Sequence, residues 1–430
     1  MSNQLDMTKQ LDCTSLLSDP LLLRILSLVP PSHYLDTSLV CRRWCRLQGQ
    51  LRHSLALNDW SFLSSGRVFR RFPSLTEIDL TRACVTTSRN SGIFLSSCLL
   101  IHVGVASLGT RPLLVSGEKF VPPDMVNYGL GLVSENCPNL RRVAVIGPTE
   151  DGVASVFNNC DTLQEIELHC CDDISLKGIG KCKNLQVVKL VGKVEGLYDS
   201  VISDIGLTIL ANRCERLVKL ELRGCDGSYD GVKAIGQCCP MLEELCLWDH
   251  RMDGGWLAGL SFCCNLKTLK LVSCKSIDES PGHEDHLGGC PALEELRLEM
   301  CRLKGNARGM MSLLLVCRDV REVVLKDCCG LDDDIFGFAR VCRRVKHLTL
   351  DGCSLLTTAG LESGILNWAE LEGLHVISCN NVKDSEISPE LACVFSALKE
   401  LRWRPDSKSL LASGLADTGF RNKGGRFFKG

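Results

Sequence analysis

A chain of 430 residues that is 45% hydrophobic and 23% charged can bury a large core, which excludes a mainly disordered protein. Its formal net charge of -2 excludes a global field that recruits nucleic acid or anionic lipid. Any partner must therefore be recognised by local features.

Residues 1–12, MSNQLDMTKQLD, form no apolar pattern and are expected to be disordered. They lack the basic start and apolar run of a secretory signal, so the chain is expected inside the cell, in the cytoplasm or nucleus. Organised sequence begins at about residue 13 and its first unit runs to residue 50. Ser18 or Asp19 is placed to cap a first helix, with Pro20 near its first position. Leu22, Ile25, Leu26 and Val29 recur at helical spacing, and Pro30 with Pro31 stops the helix. A second amphipathic segment, Leu35 to Leu47, contains the stretch SLVCRRWCRL. So few residues cannot enclose that much aliphatic surface, since chains below about 40 residues rarely fold unaided. The remainder needs cover from the next unit or from another protein.

From residue 51 to 404 the chain repeats. Runs of the form LxxLxL start at Leu163, Leu217, Leu242, Leu266, Leu293, Val320, Val345 and Leu371, with weaker copies at Leu75, Leu140, Leu185 and Leu398. From Leu140 onward the anchors lie mostly 22 to 27 residues apart, within the leucine-rich-repeat period of about 20 to 29. Twelve short strands are thus predicted, each with alternate apolar residues toward the stack. Segments such as Ile202 to Cys214 and Ser228 to Cys239 carry helical spacing after an Asp able to cap a first turn. The predicted fold class is α/β: a horseshoe-shaped solenoid of about 12 repeats, parallel strands on its concave face and helices on its convex face, preceded by a small all-helical unit.

Most of the 27 cysteines follow the same period. One set precedes the strands (Cys137, Cys160, Cys182, Cys214, Cys239, Cys263, Cys290, Cys317, Cys342), and another follows them (Cys170, Cys225, Cys274, Cys301, Cys328, Cys353, Cys379). In a chain expected inside the cell this spacing marks small apolar packing positions rather than disulfides.

Three stretches break the period. Val85 to Asn136 has room for one or two degenerate repeats, Gly192 to Ser203 adds residues, and Ser276 to Gly289 contains SIDESPGHEDHLGG. Gly92 to Leu108 is apolar but holds Ser residues and His102 and is too short for a membrane helix. His283, Glu284, Asp285, His286 and Cys290 offer an H-x-x-H with a nearby thiol, but the setting reads as a polar loop, and no metal is expected. Residues 405–430 lose the period and end as a basic, Gly-rich tail with interleaved Phe. Neither G-x-G-x-x-G, a P-loop nor G-x-S-x-G occurs, so no catalytic residue, enzyme activity or cofactor is predicted.

LLSDPLLLRILSLVPPSHYLDTSLVCRRWCRL resembles an F-box, and the repeats resemble cysteine-containing leucine-rich repeats of plant type. The usual Leu-Pro start is replaced here by Leu17-Ser18, with the proline at Pro20. This resemblance implies a substrate receptor of an SCF-type cullin-RING ubiquitin ligase. It implies that the F-box docks the Skp adaptor, and through it the cullin and RING subunits, using Leu17, Pro20, Leu22, Ile25, Leu39, Val40, Cys41 and Trp44. The solenoid would hold a protein target, with no membrane and no nucleic acid involved.

Residues two, four and six positions after each anchor are expected on the exposed concave face. Among them Arg223, Trp248, Lys270, Arg297, Lys326 and His375 are the candidate target-binding residues, because Trp and Arg dominate interface energetics. Two alternatives share the architecture: a binding scaffold with no ligase, and a small-molecule (hormone) sensing receptor of the F-box class.

Overall fold

The structure is a computed structural model of the chain and describes residues 13–85, 92–95, 100–104, 120–180, 183–194, 198–252, 254–277 and 288–406. The expectations for residues 1–12, for His283 to His286 and for the tail from 407 onward lie outside these residues.

Three helices open the fold: α1 (Asp19–Ser27), α2 (Tyr34–Val40) and α3 (Arg42–Gln50). They enclose a small core of Leu22, Leu26 and Leu47, with Leu17, Leu23, Trp44 and Leu51 packed around it. A separate continuous core begins at Leu57 and runs to Trp403.

That second core belongs to a 13-stranded parallel sheet in strict chain order. Its strands are β1 (Ser54–Ala56), β2 (Glu77–Asp79), β3 (Arg142–Ile146), β4 (Glu165–His169), β5 (Val187–Val191), β6 (Lys219–Arg223), β7 (Glu244–Trp248), β8 (Thr268–Val272), β9 (Glu295–Glu299), β10 (Glu322–Lys326), β11 (His347–Asp351), β12 (Gly373–Ile377) and β13 (Glu400–Arg404). All twelve predicted strands are present, and β1 is an additional thirteenth. The pairing is without offset: Lys219, Glu244, Thr268, Glu295, Glu322, His347, Gly373 and Glu400 form one lateral row.

The long stretch after Val85 is corrected by the same register. Glu77 pairs directly with Arg142, so no degenerate repeat contributes a strand between β2 and β3. The extra residues instead form an excursion within one coil, including an antiparallel ribbon, Gly92–Leu95 with Leu100–Gly104, and the helix Pro123–Asn136. The insertion after Gly192 carries a second ribbon, Lys193–Val194 with Tyr198–Asp199.

Successive coils are stapled by polar side chains as well as by apolar burial. The Asp expected to cap its own helix instead serves the following coil. Asp204 accepts from Ser228 N at 2.6 Å, Ser228 Oγ at 2.6 Å and Gly231 N at 2.9 Å. Asp173 does the same for Ser203, and Asp333 for Thr357. The cysteines act between coils too. Cys290 Sγ donates to Leu260 O at 3.1 Å, Cys301 to Leu271 O at 3.4 Å and Cys328 to Leu298 O at 3.3 Å. Burial pushes the Cys225, Cys290 and Cys328 thiols up to about 12, which keeps them protonated donors. Every cysteine among the described residues is free of disulfides.

Each full-length coil from β3 onward leaves its strand through a single position, and most do so with left-handed backbone. Gly147, Gly224 and Gly352 occupy it with φ of 67°, 57° and 68°, while Cys170, Asp249, Ser273, Met300, Asp327 and Ser378 adopt φ of 51° to 54°. A side chain there is strained by crowding between Cβ and the following carbonyl. At Gly147 a Cβ would meet open space, so Gly147→Ala isolates the backbone term. We expect it to lower stability by about 1 kcal/mol, and Ser273→Gly to raise it by about 0.5 kcal/mol, in urea unfolding with unchanged m-value.

Among the described residues the solenoid ends on β13, which follows the helix Pro389–Ala397. Trp403 is buried against Phe395, with ring centroids 4.8 Å apart, and its Nε1 donates to Asp384 Oδ1 at 2.7 Å. Charged Glu400, Arg402 and Arg404 line the face of this last strand and discourage edge pairing.

Candidate adaptor-docking and target-binding surfaces

The N-terminal motif divides into residues that hold the helices together and residues that face outward. Arg43 is the clamp. Its Nε donates to Asp19 Oδ1 at 2.8 Å and its Nη1 to Thr14 O at 3.1 Å, while Arg46 Nη2 lies 2.7 Å from Asp19 Oδ2. The hydrogen bond from Arg43 holds the Asp19 carboxyl below its ordinary value of 3.8. Cys41 caps α3 by accepting from Trp44 N at 3.5 Å, and Trp44 Nε1 donates to Thr14 Oγ1 at 3.4 Å. Thus SLVCRRW positions α1 through its second half.

Its first half is exposed. Leu39 and Val40 are 75% and 60% exposed, and Leu16, Leu21, Ile25, Leu28 and Leu35 also present most of their apolar surface or about half of it to solvent. Of the other residues read as docking candidates, Pro20 is exposed and Leu17, Cys41 and Trp44 are half-buried. Leu22 corrects that reading, because it is fully enclosed with Leu26 and Leu47. Seven exposed large aliphatics in under thirty residues form a concentrated apolar surface of the kind that marks a contact face.

Asp19→Asn tests the clamp. Removing the charge should speed hydrogen exchange across Asp19–Ser27 while the solenoid helices keep their protection. Because the folded-state pKa is depressed, the clamp's contribution is present above the ordinary carboxylate range and is lost as pH falls through the folded value. Wild type should therefore match the variant only in strong acid.

This unit is joined to the solenoid by close contact. Gly49 and Gln48 on α3 are buried, and a Cβ on Gly49 would lie 2.3 Å from Arg71 O. Arg71, in the helix Arg67–Arg71, donates from Nη1 to Cys45 Sγ at 2.5 Å.

The concave face differs from the expectation of exposed cations. Because every strand pairs without offset, outward positions of neighbouring coils meet, and opposite charges fall opposite each other. Arg142 reaches Glu165 at 3.1 Å and Glu167 at 3.3 Å, Lys189 reaches Glu165 at 2.8 Å, and Lys219 reaches Glu244 at 2.8 Å and Glu221 at 2.9 Å. Burial opposes the charge on Lys219, but Glu244 and Glu221 outweigh it and raise the ammonium above its usual range.

The candidate target-binding residues belong to this ladder. Arg223 is the clearest correction: it is buried and its Nη2 lies 2.7 Å from Asp249. Lys270 lies 2.9 Å from Glu299, Lys326 3.9 Å from Asp351 and His375 Nε2 3.0 Å from Glu400, while Arg297 contacts Glu295 and approaches Glu322 at 3.7 Å. Trp248 is half-buried in the row between Arg223 and Val272, with Lys270 Nζ 5.6 Å from its ring centroid. Its Nε1 is shielded from solvent and has no acceptor among the described residues. Nearby, Glu221, Glu244 and Cys246 converge within 4.8 Å, but the Lys219 ammonium already bridges both carboxylates, and burial pushes the Cys246 thiol up to about 12. They form a salt-bridged cluster.

A helical unit with an open apolar face is followed by a parallel solenoid of leucine-rich coils, and in this order of parts the chain is similar to F-box/leucine-rich-repeat proteins. Residues 14–52 match the F-box domain family. Similarity extends to F-box/LRR-repeat protein 4 of Bos taurus, 30% identical over 156 residues, covering 36% of this chain and 21% of that protein. A Transport inhibitor response 1-like protein of Oryza sativa subsp. japonica is 22% identical over 357 residues, covering 67% and 60%. F-box protein MAX2 homolog A of Petunia hybrida is 22% identical over 403 residues, covering 76% and 51%. The chain thus spans between about a fifth and three fifths of these relatives' lengths. Among the described residues no helix is long and apolar enough to cross a membrane.

Proposed function

We propose that the chain is the substrate-recognition subunit of an SCF-type cullin-RING ubiquitin ligase, acting in the cytoplasm or nucleus. The F-box face of Leu16, Leu21, Ile25, Leu28, Leu35, Leu39 and Val40 docks the Skp adaptor, which brings the cullin and RING subunits. That open apolar face, lying where the F-box family matches, is the observation that supports the reading. The concave face of the solenoid, centred on Trp248, holds the protein target for ubiquitination and degradation.

In this reading the chain supplies position rather than acid–base chemistry. Holding the target near a ubiquitin-charged enzyme raises the effective concentration of its lysines at the thioester. The tight contact of Gly49 with Arg71 serves this role by fixing the F-box relative to the first coil.

Affinity purification of the intact chain, with and without proteasome inhibition, tests the proposal. Adaptor and cullin should co-purify in both conditions, and targets should accumulate only with the inhibitor. A wild-type chain that captures targets but no adaptor would overturn it in favour of a scaffold.

A further inference from the structure

The concave ladder pairs most of its cations, whereas two guanidinium groups on the edge of the coils share one cavity. Arg340 and Arg343, with Val341 and Asn367, line an open cavity of about 570 Å³ between two successive coils, on the edge where the chain enters β11 and β12. Among the described residues neither side chain has an ion-pair or hydrogen-bond partner. Their neighbours add positive charge. Arg318 and Arg344 share a single carboxylate, Asp319, at 3.6 and 3.7 Å, both near the long limit for an ion pair.

We propose that this cavity binds an acidic segment of a protein, whose oxyanions pair with Arg340 and Arg343. A planar guanidinium offers two parallel N–H donors to a carboxylate or phosphoryl group, and two such groups at one cavity mouth accept a segment carrying closely spaced negative charge. The same chemistry is met by Asp and Glu side chains or by a phosphorylated residue. A long polyanion such as RNA fits poorly, because a chain with a formal net charge of -2 offers no extended positive field beyond this patch. The proposal concerns which targets the solenoid takes and in that sense rests on the receptor reading. Its test is direct binding, so its failure leaves adaptor docking untouched.

The full chain is titrated by fluorescence anisotropy against three short labelled peptides of alternating Gly with Glu, with phosphoserine or with Gln, and against a single-stranded RNA of similar length. We expect the Glu or the phosphoserine peptide, or both, to bind at least about tenfold more tightly than the Gln peptide, with affinity falling as salt rises; their ratio assigns the source of the charge. Arg340→Glu with Arg343→Glu should reduce that binding by at least about tenfold, whereas Arg308→Glu, at an exposed site on the convex helix Ala307–Val316, should not. Circular dichroism melting checks that both variants fold. Equal binding of the Gln peptide, unchanged binding in the double variant, or tighter binding of the RNA than of either anionic peptide would overturn the proposal.

Discussion

Leu39→Asp combined with Val40→Asp should reduce adaptor capture by at least about 100-fold while leaving the melting transition of the chain within about 2 °C of wild type. Burying a Leu or Val side chain at an interface stabilises it by about 1.5–3 kcal/mol, so losing both removes about 3 kcal/mol or more, and about 1.4 kcal/mol is tenfold in affinity. A carboxylate forced into an apolar contact adds its own desolvation cost. In the unbound chain the same positions are mostly exposed, outside the core of Leu22, Leu26 and Leu47, and exposed substitutions usually change stability by no more than about 0.5 kcal/mol. Leu22→Ala makes a contrasting control. It would cost about 2–5 kcal/mol within a core of three leucines, and adaptor binding would then fail because the helices come apart. Full adaptor binding by a folded Leu39→Asp/Val40→Asp chain would remove these residues from the docking face.

The sequence carried much of this architecture because a solenoid writes its period into the chain. Every LxxLxL run became a strand, since its alternate apolar residues have only the stack in which to hide. β1 escaped notice because Ser54–Ala56 supplies three residues and one inward Leu, too little for a pattern. The excursion after Val85 was misread for a different reason. Its length suits a whole number of coils, and only the pairing of Glu77 with Arg142 shows that the sheet skips it. Within the F-box, helical spacing placed Leu22 and Ile25 on neighbouring positions, yet periodicity does not say which side of a stripe a third helix covers; α3 covers Leu22 and leaves Ile25 open. The ion-pair ladder was within reach. Once strands are taken as parallel and unshifted, Lys219 must lie beside Glu244, and Lys270 within a strand of Glu299. Arg340 and Arg343 had no such signal, because what sets them apart is a cavity they share without an ion-pair partner among the described residues, and that exists only in space.

Trp248 is where the second large effect is expected. The ladder neutralises the cations around it, so a target gains little from ion pairing there unless it displaces an existing bridge, and apolar and aromatic contact must supply most of the affinity. Trp248 offers a large ring at the end of β7, the middle strand of the face, with Lys270 held over it by Glu299. Trp248→Ala should weaken target retention by about 2–4 kcal/mol, roughly 30- to 1000-fold, with adaptor binding intact. Trp248→Phe separates the ring from its N–H. The shielded Nε1 lacks an acceptor among the described residues, and such a group costs about 1–3 kcal/mol, so the Phe variant should be more stable by about 1 kcal/mol while keeping target binding within about threefold. Quantitative comparison of proteins retained by the three chains after proteasome inhibition, normalised to co-purified adaptor, provides the readout. If the Ala variant holds the same proteins in the same amounts as wild type, the target does not rest on the concave face at this strand, and the binding surface must be sought along the edges of the coils.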